Sequence, residues 1–133
     1  MQLRRTWPVI VLLLASAVIA LRSIAADIDT LRRASAPVAE AGRYLAADAL
    51  LAAASLLALG AVMARRSWIR AAMLGWMVTL LVVVAWVQFI AIGANGPPIW
   101  IRLGVWLGCA VVSTLAVYWV RQAWASDGRN AAV

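Results

Sequence analysis

Asp48 is the side chain in this chain that is most unusual for its surroundings. It interrupts the almost wholly apolar stretch YLAADALLAAASLLALGAVMA, residues 44–64, which is long enough to cross a lipid bilayer. A carboxylate at such a depth costs roughly 2.5–3.5 kcal/mol on insertion scales. It therefore either binds a proton or cation in a transport path or is held by a basic partner.

Basic partners are available if the first two apolar segments form a helical hairpin. With the turn at Ser35, residues i and 70 − i lie at equal height. Asp48 then falls level with Arg22, and Asp27 falls level with Arg43. We predict structural ion pairs between Arg22 and Asp48 and between Asp27 and Arg43. The alternative is an unpaired Asp48 carboxyl that faces a cavity.

Small residues supply a second pattern. Gly104 and Gly108 form a GxxxG motif, and Ala71, Gly75 and Thr79 form a related stripe one segment earlier. Such faces let two helices approach closely in lipid. We predict helix packing at both stripes, either within one bundle or between two chains.

The remaining reactive groups are few. The chain has five acids, one cysteine (Cys109) and no histidine, and all twelve basic residues are arginine. Without histidine, the commonest general base and the commonest ligand of catalytic zinc or haem are missing. We therefore expect no enzyme activity, no catalytic residues, no metal site and no cofactor.

Three tryptophans, Trp76, Trp86 and Trp106, lie deep within apolar segments. They could line a pocket for a lipid, a quinone or an aromatic cation. The alternative is simple packing against helices or lipid.

The composition indicates a membrane protein. The chain has 133 residues, of which 66% are hydrophobic and 13% charged, whereas soluble domains carry about 25% charged residues. The net charge of +7 does not indicate nucleic-acid binding here, because the arginines flank apolar segments. The expected partner is the lipid bilayer, together with a larger membrane complex or a second copy of the chain.

Four apolar segments predict the elements. We expect helices at about 7–33, 37–64, 68–92 and 99–124, forming one four-span domain over residues 1–133. The predicted fold is an all-α, integral membrane, antiparallel four-helix bundle. Helices 1 and 2 extend beyond the membrane as a short hairpin. For the first segment the alternative is a signal peptide cleaved after Ser23-Ile24-Ala25.

Arginine placement predicts the orientation. Seven arginines fall on the side of the two termini and five on the other, which favours cytoplasmic termini. Arginine without lysine, in an alanine-rich chain, is typical of a GC-rich bacterial genome. We expect a multi-pass protein of the bacterial cytoplasmic (inner) membrane.

Three functions are compatible with these residues. The favoured one is a non-enzymatic accessory, assembly or anchoring subunit, or a small homo-oligomer. The second is an oligomeric transporter or channel that uses Asp48. The third, a membrane enzyme, lacks a visible nucleophile or metal cluster.

Overall fold

The computed structural model describes residues 3–33 and 37–131, with side chains described for residues 5–33 and 37–126. The described residues form four α-helices without a strand, which confirms the all-α prediction. These helices are α1 (Leu3–Arg32), α2 (Val38–Met63), α3 (Ile69–Trp86) and α4 (Ile99–Ala131). A π-helical turn, Val87–Ala91, continues α3, and a 3-10 turn, Gly93–Asn95, begins the connection to α4.

All four helices are long and apolar enough to cross a membrane. The shortest candidate span, Ile69–Ala91, combines α3 with the π turn and has 23 residues. At about 1.5 Å per residue it reaches about 35 Å, slightly more than a hydrocarbon core of roughly 30 Å. The chain is therefore a candidate multi-pass membrane protein.

The helix ends differ in places from the sequence-based prediction. Helix α4 runs beyond the predicted end at residue 124 to Ala131, since its tail contains no proline to stop it. Regular α-helix in α3 ends at Trp86, before the predicted end at residue 92, because the π turn intervenes. The predicted hairpin turn at Ser35 lies outside the described residues.

The buried core is concentrated toward one end of the helix set. Its main cluster takes residues from the first half of α1, the second half of α2, the start of α3 and the second half of α4: Val9, Leu13, Ala58, Leu59, Ala61, Val62, Ile69, Met73, Trp76, Ala116 and Val120. A smaller cluster of Ala20, Leu51 and Ala52 lies farther along α1 and α2. Asp27 and Asp48 lie beyond this second cluster.

Candidate functional site

Asp27 and Asp48 come together between α1 and α2. Asp48 lies three residues before buried Leu51 and Asp27 seven residues after buried Ala20, so both project from the packed faces of their helices. The two carboxyl groups are neighbours and interact electrostatically. The Asp27 Oδ2 atom is buried and has no hydrogen-bond partner. The arrangement is therefore an acid pair.

This acid pair replaces the predicted ion pairs. In the part of the chain that the structure describes, Arg22 forms no salt bridge with Asp48, and Arg43 forms none with Asp27. The ion pairs do not form because each arginine lies on the face of its helix that points away from the core. Arg22 follows buried Ala20 by two residues and Arg43 follows buried Ala41 by two, which turns each side chain by about 200° away from the core. Both arginines are exposed.

A chain of hydrogen bonds crosses the core nearby and connects three helices. The Trp76 indole donates to Ser16 Oγ over 3.3 Å, and Ser16 Oγ lies 2.8 Å from Ser55 Oγ. Ser55 donates to the Leu51 carbonyl over 2.7 Å. Because Ser55 uses its one proton on Leu51, Ser16 must donate to Ser55. The donors of Trp76, Ser16 and Ser55 are thus all satisfied, and the hydrogen bonds run in one direction from α3 through α1 to α2.

Trp76 is 1% exposed, so of the three deep tryptophans it is the one that lies in the core. Trp106 donates its indole N–H to the Leu81 carbonyl over 3.1 Å and thereby joins α4 to α3. Trp86 makes an edge-to-face contact with Tyr44 of α2, with ring centroids 5.1 Å apart. Each ring therefore contacts a neighbouring helix.

Arg102 has a role that its position in the sequence does not reveal. Although charged, it is 8% exposed. Its guanidinium donates to three main-chain carbonyls between the π turn and the start of α4: Pro97 over 2.7 Å, Gly93 over 2.7 Å and Gln88 over 3.2 Å. The side chain thus satisfies carbonyls that the π turn and the following loop leave without helical partners.

Two glycines shape this Arg102 loop. Gly93 adopts φ +66°, a left-handed conformation that favours glycine. A Cβ at Gly96 would collide with the side chains of Ile92 and Arg102. The loop is therefore built around the guanidinium.

The predicted small-residue stripes lie on the outside of the helix set. Gly104, Gly108, Ala71 and Gly75 are exposed, and the Thr79 hydroxyl donates to the Gly75 carbonyl of its own helix over 2.7 Å. A Cβ at any of the three glycines would meet no atom within 4 Å. Packing of these stripes against another helix of this chain is therefore not observed, and packing against a second chain stays a prediction.

No known protein family matches this chain, and neither a curated protein nor a solved structure is detectably similar to it. Function therefore has to be inferred from the residues themselves.

Proposed function

We propose that this protein is a non-enzymatic, four-span membrane protein that acts by associating with other transmembrane helices, either in a homo-oligomer or as a subunit of a larger membrane complex. The observation that carries the proposal is the exposed Gly104/Gly108 face. Glycines on a lipid-facing surface leave room for the backbone of a second helix, and close backbone approach is what stabilises helix association in lipid.

The outer surface supports the membrane location. Large apolar side chains project from all four helices, with Ile19 65%, Leu50 64%, Val82 62% and Trp100 70% exposed. In water such a surface would aggregate, whereas in a bilayer the acyl chains solvate it.

Three interhelical contacts support an antiparallel, up-and-down arrangement. The indole of Trp119, near the end of α4, donates to the carbonyl of Arg5, near the start of α1. Arg102, at the start of α4, bonds the carbonyl of Gln88, beyond the end of α3. Ser16 and Ser55 lie at corresponding depths of α1 and α2. We place this bundle in the bacterial cytoplasmic membrane, with both termini in the cytoplasm.

The association is tested by Gly104→Leu, with Ala53→Leu on the exposed face of α2 as the matched control. The assembly state is measured by mass analysis in mild detergent and by crosslinking in native membranes. Gly104→Leu should dissociate the homo-oligomer or release the partner subunit, and the control should not. A wild-type chain that stays monomeric and partner-free in both measurements would exclude the proposal.

The acid pair favours a second candidate function, a proton-coupled transporter that uses Asp48. Two neighbouring carboxyl groups inside a bilayer can bind and release a proton, and intramembrane carboxyl groups commonly serve proton relays. The wild-type chain in liposomes should then pass protons under an imposed gradient. Asp48→Asn should abolish the flux, whereas Asp29→Asn, at an exposed carboxylate paired with Arg33, should not. A wild-type flux no greater than that of empty liposomes would exclude this function.

A further inference from the structure

A cleft between α1 and α4 begins in a polar cavity at the N-terminal end of α1. This cavity has a volume of about 440 Å³ and is lined by Arg5, Tyr118, Trp119, Gln122, Ala123 and Ser126. The Arg5 Nη1 atom lies 3.4 Å from Ser126 Oγ, and the Gln122 amide donates to the Tyr118 hydroxyl over 2.8 Å. Among the described residues, no carboxylate forms a salt bridge with Arg5.

The cleft continues along the two helices as an apolar groove. A cavity of about 150 Å³, which shares Trp119 with the polar cavity, lies between Pro8 and Leu12 of α1 and Leu115 of α4. It shares Leu12 with a third cavity of about 470 Å³, which reaches Ile19 of α1. This volume lies within the range of roughly 300–1,000 Å³ that is usual for small-molecule sites.

The polarity of the cleft changes along its length as that of a phospholipid does. From Arg5 to Ile19 the α1 axis rises about 21 Å, which is somewhat more than half of a hydrocarbon core of roughly 30 Å. A molecule with a charged group at Arg5 and one chain along the groove would thus extend through about one leaflet. Among residues 5–33 and 37–126, no acidic side chain lines any of the three cavities.

We propose that the α1–α4 cleft binds one anionic phospholipid. Its phosphate contacts the Arg5 guanidinium and the Gln122 amide, and one acyl chain fills the groove between Leu12 and Val112. The charge of Arg5 selects the headgroup. A guanidinium that has no carboxylate partner among the described residues favours a net-negative lipid over a zwitterionic one. The inference rests on the membrane location in the proposed function. It does not need the proposed association of helices, although Gly108 lines the third cavity, so a helix on the Gly104/Gly108 face would lie beside the lipid.

The test uses the full-length protein in nanodiscs of equal parts phosphatidylglycerol and phosphatidylcholine, followed by detergent extraction and native mass spectrometry. The wild-type chain should retain one phosphatidylglycerol. Arg5→Gln should weaken this retention about tenfold, as expected for the loss of one charge-assisted hydrogen bond. Arg121→Gln, at an exposed arginine of α4 that does not line the cleft, is the matched control.

A second variant tests the groove without changing the charge. Ala15 lines the deep cavity, so Ala15→Phe should fill it and reduce retention, whereas Ala53→Phe on the outer face of α2 should not. Equal retention of the two lipids, or an equal loss in Arg121→Gln, would overturn the proposal. Sedimentation of each variant with membranes is measured in parallel. Failure to sediment would contradict the membrane location, whereas sedimentation without lipid selectivity would contradict only the cleft.

Discussion

The indole N–H of Trp76 on α3 and the hydroxyl of Ser16 on α1 are 3.3 Å apart in the buried centre of the protein. Ser16 is in turn bonded to Ser55 of α2, so a single hydroxyl connects three helices. An apolar core could be repacked in several ways, whereas this chain of donors and acceptors is complete in only one helix arrangement.

Replacing Ser16 by alanine should therefore destabilise the bundle by about 0.6 kcal/mol and by no more than about 1.7 kcal/mol, the average and the maximum measured for hydrogen bonds between membrane helices. The loss should be non-additive with Trp76→Phe, because each variant breaks the same bond. Unfolding in mixed micelles measures both effects. Thr79→Ala is the control, since that hydroxyl bonds only its own helix. Strictly additive losses would mean that Trp76 and Ser16 are not coupled.

Asp48→Asn should leave the protein at least as stable as the wild type. An asparagine amide can donate a hydrogen bond to the Asp27 carboxylate, whereas two ionised carboxyl groups would repel each other. Arg22→Gln should change the free energy of unfolding by less than about 0.5 kcal/mol, because Arg22 is exposed and forms no bond to Asp48. Thermal unfolding of the two single variants and of the double variant measures these changes in stability. Large single losses that the double variant recovers would instead indicate the ion pair expected from the sequence.

Arg102→Leu should destabilise the α3–α4 connection by at least about 3 kcal/mol, because three carbonyls lose a charged donor. Arg102→Lys should recover only part of this loss, since an ammonium cannot reproduce the planar fork of donors. Limited proteolysis within residues 93–98 should become faster in both variants. Arg70→Leu, at an exposed arginine of α3, should digest at the wild-type rate.

Gly96→Ala should also loosen this connection, by about 1–3 kcal/mol, because the added methyl group collides with Ile92 and Arg102. Gly75→Ala supplies the contrast. Its methyl group meets open space, and alanine is the better helix former by roughly 0.5–1 kcal/mol. Chemical unfolding should move the two variants in opposite directions. A neutral Gly96→Ala would mean that the guanidinium can shift without losing its partners.

Reporter fusions at Ser67, Asn95 and Asp127 test the proposed orientation. Four spans with cytoplasmic termini place Ser67 and Asp127 in the cytoplasm and Asn95 on the opposite side. Fusions to alkaline phosphatase should therefore be active only at Asn95, and fusions to a fluorescent protein should give the reciprocal pattern. Phosphatase activity at Ser67 would reverse the orientation, and equal activity at all three sites would contradict four spans.

The helices could be predicted from the sequence because long apolar segments and short polar connections mark them directly. The expectation that residues i and 70 − i lie at equal height was also nearly right. It sets Ser16 level with residue 54, and in the structure Ser16 is hydrogen-bonded to Ser55. The rule did not give the ion pairs correctly, because equal height along two helices does not tell which way a side chain points. Arg22 follows buried Ala20 by two residues and therefore points away from the core. The role of Arg102 could not be predicted, because its partners are main-chain carbonyls. Every residue has such a carbonyl, so no sequence pattern marks the ones that Arg102 binds.

The hydrogen bonds of Arg102 also affect how the protein unfolds. Its charge sits at the start of α4, but its partners are the carbonyls of Gln88, Gly93 and Pro97, which precede that helix. Separating α4 from α3 would break at least the bond to Gln88, which lies in the π turn that continues α3. The helical hairpin of α3 and α4 should therefore behave as one cooperative unit in hydrogen exchange, in which fraying of one helix without the other is suppressed.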